Sequence, residues 1–202
     1  IGTRNTRDLA IAAASRALIP VPAGTGFEAD AFWRHSCATA VCARELAAAS
    51  GQDPELAFTA GLLHDFGRLV MVAGFPELFE QSQKAQQAGG GSRLEAERAV
   101  FGFDHGTAGG ALAELWRLPA PIAAAMASHH SVGSEACDPL ADLVHLADAV
   151  AHALDFGAGA LDQVPPLSDA ACDRLCVDWP ALRASLGNLE RLSLEMTRNL
   201  ID

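Results

Sequence analysis

The stretch Ala60-Gly61-Leu62-Leu63-His64-Asp65-Phe66-Gly67-Arg68-Leu69-Val70 sets an adjacent imidazole and carboxylate inside an apolar run, with a guanidinium four residues past the imidazole. Read as one helix, it puts His64 and Arg68 on one face, with Asp65 about 100° round from His64. A metal-seeking group and a phosphate-seeking group then point the same way. Charge in so apolar a run is costly unless it is paired or bound to an ion. That cost directs attention to partners elsewhere in the chain.

The 202 residues suffice for one substantial core, or two small ones. Half of them are hydrophobic, alanine dominates, strand formers are sparse and tyrosine is absent, a composition that predicts an all-α fold. The net charge of −11 argues against a nucleic-acid partner held by bulk electrostatics, though it leaves room for a local basic pocket. No apolar run is expected to reach bilayer-spanning length and no secretory pattern opens the chain, so no membrane partner is expected. The five cysteines (Cys37, Cys42, Cys137, Cys172 and Cys176) are odd in number and lie mostly in apolar helical windows, which places the chain in a reducing cytoplasm. Cys172 and Cys176, one turn apart, would suit a metal pair, but two buried thiols are the preferred reading.

Outward from the central stretch, Asp53-Pro54 is a helix start, a capping carboxylate followed by proline at the first helical position. Upstream, a helix over about 28–49 carries the stripe Phe32, Cys37, Val41 and Leu46, with His35 one turn before Thr39. Before it come a linker holding Pro20, Pro22, Gly24 and Gly26, and a helix over about 6–18. The chain opens Ile1-Gly2-Thr3 without an initiator Met, from which further sequence upstream is expected. Downstream, Phe75-Pro76 begins a helix that Gly89-Gly90-Gly91 closes, and Ser92 with Glu95 forms a capping box. His105 sits at a helix start, Ser128-His129-His130 ends a short helix opened by Pro119, and residues 131–138 form a loop. Asp138-Pro139 opens a helix to about 156 that holds His145, Asp148 and His152, and one or two helices finish the chain.

His35, His64-Asp65, His105, His129-His130 and Asp148 each fall on a different helix or helix edge, and a helical bundle can gather such residues at one point. Imidazole with carboxylate suits a divalent ion such as Fe, Mn, Zn or Mg, and seven ligands are enough for one or two ions. The alternative is an inert polar core that keeps a satisfied His-Asp pair. For His105, His129 and His130, capping of helix-end carbonyls weighs equally. His145 and His152 flank Asp148 at i−3 and i+4 and are expected to be ordinary helix-face residues, with orientation of Asp148 as the alternative. Arg68 is the candidate phosphate-binding residue, against an ion pair with a neighbouring acid. Trp33 and Trp116 are expected as core anchors.

The order His35, His64-Asp65, Asp148 resembles the HD metal-dependent phosphohydrolase superfamily. Phe32-Trp33-Arg34-His35-Ser36, the central stretch, Val100-Phe101-Gly102-Phe103-Asp104-His105, the Leu118-Pro119 step toward His129-His130, and Leu146-Ala147-Asp148 resemble its HDOD branch, over roughly residues 1–156. The resemblance implies a single all-α unit: an HD-type helical bundle over 28–158, the end of an N-terminal helical subdomain and linker over 1–27, and C-terminal helices over 159–202. It implies a bacterial signal-transduction and regulatory module that acts through contacts with a signalling partner or a fused receiver or nucleotide-signalling domain, with a retained metal site and no catalysis. The related HD-GYP enzymes hydrolyse cyclic dinucleotides with the same ligand positions, so the alternative is a metal-dependent phosphohydrolase acting on a nucleotide. Against it, the loop Ser131-Val132-Gly133-Ser134-Glu135 lacks the Gly-Tyr-Pro segment, and Arg68 stands where those enzymes carry Lys. Glu135 and Asp138 of that loop would repel an anionic substrate.

Overall fold

The computed structural model describes residue 14 and residues 19–89, 91–131, 138–156 and 163–201. The helix expected over 6–18 and most of the loop after Ser131, Glu135 included, lie outside the described residues. Among those described there are ten helices and no strand, so the fold is all-α.

α1 (Ala29–Ser50) is the axis of the bundle. From Ala31 to Ala47 every residue except Arg34 and Glu45 is buried, and the wholly buried alanines Ala38, Ala40, Ala43 and Ala47 leave it thin enough for close neighbours. α2 (Pro54–Leu63), α8 (Pro139–Ala153) and α10 (Trp179–Ile201) all pack against it. α2 starts as its sequence dictates, with the Asp53 carboxylate accepting from the Glu55 and Leu56 amides and Pro54 in the first turn. Gly61 sets how near α2 can come: a Cβ there would stand 2.9 Å from the Thr39 carbonyl oxygen.

The single helix expected through His64 and Arg68 is in fact two. α2 ends at Leu63 and α3 (Phe66–Gly74) begins after a break at His64-Asp65, with Asp65 at φ −95°, ψ 7°. The cause is packing: α2 lies on α1 while α3 lies on α6 (His105–Leu115), and one straight rod would serve only one of those partners. The same stretch corrects the expectation about membrane-length runs. Pro54–Gly74 is long and apolar enough by length and composition, and it is 72% buried inside the bundle, as a core segment is.

α4 (Pro76–Gly89) and α5 (Arg93–Phe101) form a hairpin-like pair, with the Ser92–Glu95 capping box present at the start of α5. α6 packs on α7 (Ala120–Ser128), and α7 on α8. α9 (Asp169–Arg174) is tied to α8 by two bonds from Arg174, Nε to Asp142 Oδ2 at 2.6 Å and Nη2 to Oδ1 at 2.7 Å. Trp33 is buried edge-on to Phe32 and Phe66. Trp116 packs half-buried on Phe66, so both indoles anchor the core.

Candidate metal centre

The break between α2 and α3 is what presents the His-Asp pair. Asp65 occupies the N-cap position of α3 but accepts no capping hydrogen bond, so its carboxylate remains available for side chains. It divides its two oxygens. Oδ2 accepts from Arg68 Nη1 at 2.9 Å, while Oδ1 faces His105 Nε2 at 3.1 Å, His64 Nε2 at 3.6 Å and His129 Nε2 at 3.8 Å. Asp148, from the middle of α8, meets His35 Nε2 at 2.9 Å, His64 Nε2 at 3.6 Å and His152 Nε2 at 3.3 Å, all through Oδ1. His130 Nε2 stands 2.9 Å from His105 Nε2. The seven residues named from spacing, on α1, α6, α8 and the ends of α2 and α7, are thus brought around one buried centre. With His152 added, the potential ligand atoms fall into overlapping sets: Asp65, His105, His129 and His130; His35, His64 and Asp65; and His35, Asp148 and His152.

The hydrogen bonds on the far sides of the rings decide what faces inward. His64 Nδ1 lies 2.7 Å from the Gly61 carbonyl, and His129 Nδ1 lies within 3.3 Å of the Ala125 and Met126 carbonyls. A carbonyl only accepts, so each Nδ1 carries the proton. The Nε2 atoms of His64 and His129 are buried without a hydrogen-bond partner and point at carboxylate oxygens. His129 is held neutral, its pKa pushed down to about 3 by burial and then by His64 and His105. Its Nε2 is therefore a bare lone pair facing an anion, an arrangement that calls for a cation between them. The residues present fit a divalent ion.

Charge around the centre is steeply biased. Burial alone would raise the carboxyl pKa of Asp65, but His64, His105 and Arg68 outweigh it and hold the group well below the carboxylate range. Asp148 is depressed in the same way by His152, His35 and His64, against burial. His64 is raised, because Asp65 and Asp148 overcome its desolvation. Burial also works against His105, yet Glu97 and Asp65 lift it to about 10. Burial lowers His35 and His130.

Two participants were not legible as such. Glu97, buried on α5, accepts from the His105 backbone N–H at 2.9 Å and faces His105 Nδ1 at 2.7 Å, fixing the ring so that Nε2 turns inward. The available signal was a charge on the stripe Leu94, Glu97, Phe101, at helical spacing. His152 is no ordinary helix-face residue, since it reaches Asp148 and lies 4.3 Å, centroid to centroid, from the His35 ring. His145 is also engaged: its Nδ1 donates to the His129 carbonyl at 2.9 Å, and its Nε2 accepts from the Ser168 amide at 3.3 Å.

The match to known families now has a geometry beneath it. The HDOD domain matches residues 1–132. This chain belongs to the HDOD family. An uncharacterised protein of Treponema pallidum is 28% identical over 145 residues, and the chain, matched over 70% of its own length, spans 28% of that relative. A Shewanella amazonensis protein, described provisionally as a phosphohydrolase, shares the fold with a TM-score of 0.77 at 26% identity, over 97% of this chain and 72% of that one. The MmoQ response regulator of Methylococcus capsulatus gives a TM-score of 0.58 at 27% identity, over 88% and 62% of the two chains. The family match stops before α8, which carries Asp148 and His152, whereas the Shewanella likeness runs over nearly the whole HDOD chain.

Beside the centre lies a cleft of about 650 Å³. His105, His130, Asp148 and His152 line it, as do Arg93 and Leu94.

Proposed function

We propose that this HDOD chain is a bacterial, cytoplasmic signalling module that acts through a partner protein or a fused receiver or nucleotide-signalling domain, and that it holds one or two divalent ions without hydrolysing a phosphoester. His35, His64, Asp65 and Asp148 would hold the first ion, and Asp65, His105, His129 and His130 the second. Such an ion supplies Lewis acidity and activates bound water where a substrate can reach it.

The observation that carries the reading is the position of Arg68. Turnover requires cations on the non-bridging phosphate oxygens, and Arg68 spends its guanidinium on Asp65 Oδ2, with its Cζ 5.7 Å from the Phe27 and Phe32 ring centroids. Likeness to a response regulator supports a signalling role, and the free thiols of Cys37, Cys42, Cys172 and Cys176 are consistent with a reducing compartment. Asp138 of the following loop caps α8 through the Leu140 amide, and so is occupied structurally. The second reading, hydrolysis of a nucleotide, is favoured by one thing: Arg93 lines the cleft beside the centre.

Turnover assays on cyclic dinucleotides with Mn or Fe supplied separate the two. No product above background is expected. Metal-dependent hydrolysis that vanishes in both His64→Ala and Asp65→Ala would promote the enzyme.

A further inference from the structure

His152 lies outside the seven-residue set from which the centre is built, yet its Nε2 points to the same place as theirs. A histidine that merely orients a carboxylate ligand bonds the oxygen turned away from the ion. His152 instead meets Asp148 at Oδ1, the oxygen that His35 Nε2 and His64 Nε2 also face. Three imidazole nitrogens converging on one carboxylate oxygen at 2.9, 3.6 and 3.3 Å describe a coordination shell around a point beside that oxygen. Ligands to one ion, with bonds of about 2 Å, stand roughly 3 to 4 Å apart. The ligand atoms of His35, Asp148 and His152 all lie within 4.8 Å of one another.

The location of His152 gives this a consequence. Its side chain is 9% exposed and lines the cleft, whereas the side chains of His35 and His64 are 3% and 1% exposed and lie behind it. The ring therefore borders the cleft in front of His35 and His64, beside Asp148, which also lines it. His105 and His130 also border the cleft. Both ion positions thus border the cleft, one through Asp148 and His152 and the other through His105 and His130.

We infer that His152 is a fifth protein ligand to the ion held by His35, His64, Asp65 and Asp148, filling a place on it that water would otherwise take. A closed shell is the mark of a structural ion, and an open one that of a chemically available ion. This inference rests on the ion-centre reading above and gives it a division of labour: an ion with five protein ligands, the more structural of the two, and one with four, the more open to exchange.

Titration of the whole ion-free chain with Mn(II), following free ion and water-proton relaxation together, tests it. The wild type should bind Mn(II), and His152→Ala should bind more weakly by about tenfold or more. In that variant the relaxation per bound ion should rise, because water takes the vacated place. His152→Asn, which can hydrogen-bond Asp148 but does not reach the ion, should behave like His152→Ala. Relaxation per ion that is unchanged in both variants, or wild-type affinity restored by Asn, makes His152 a positioning residue and overturns the inference alone. A wild type that takes up no Mn(II) overturns the ion centre itself.

Discussion

His129 shows how far a single side chain constrains the centre. Its Nδ1 is committed to helix carbonyls and its Nε2 is buried and bare, so only the inner nitrogen can take a cation. His105 poses the opposite case, with a carboxylate on each side and a pKa raised to about 10. Without an ion it keeps its second proton throughout the neutral range, and an incoming ion must displace that proton. The sign follows. In the ion-free protein the stabilisation from His105 is complete below the unfolded value near 6.5 and is lost as pH rises through about 10. Ion affinity runs the other way, so calorimetric titration should show it strengthening from pH 6 to pH 8 with proton release. A flat profile without proton release would contradict the role given to His105. At this scale much was legible, because His, His-Asp, His, His-His and Asp are unusual in apolar helices. Glu97 was not, since spacing along the chain does not say which face of α5 turns toward a neighbour; for His152 the i+4 spacing from Asp148 gives the shared face of α8 but not the convergence of its ring on the His35 and His64 side.

Among elements, the α2–α3 break and the α3–α6 contact do the most to build the site. Gly67 permits that contact: a Cβ there would stand 1.8 Å from the His105 carbonyl oxygen and 2.7 Å from the Gly109 amide nitrogen. Backbone cannot yield as a flexible side chain does, so Gly67→Ala must push α3 off α6 and move Asp65 away from His105. Overpacking of this kind costs about 1–3 kcal/mol or more, or about 2–12 °C in melting temperature for a chain of this size. Bound metal should fall together with the melting temperature. A Gly67→Ala protein with unchanged melting and ion content would contradict the close-approach account. The helices themselves were largely readable from their caps, Asp53-Pro54, Ser92 with Glu95, and Asp138-Pro139. The break was not, because Leu62 to Leu69 keep helical periodicity straight through it, and only the two packing partners reveal the bend.

On the scale of the whole molecule, an acidic surface surrounds a centre rich in imidazole, and a net charge of −11 gives no general attraction for anions. Among the described residues no thiol belongs to the centre. Cys37 and Cys42 are buried with pKa values pushed up to about 12 by desolvation, while Cys172 is half-buried and Cys176 exposed, so the expectation of two buried thiols there does not hold. This chain spans 28% of the length of one relative and 62% of another. The account stands or falls on the ion. Anomalous X-ray scattering from crystals of protein purified without chelator should show a peak beside Asp148 Oδ1 among His35, His64 and His152. A second peak is expected between Asp65, His105, His129 and His130, and His64→Ala should weaken the first. An ordered cluster with no anomalous peak, after soaking in Mn(II) or Fe(II), would contradict it.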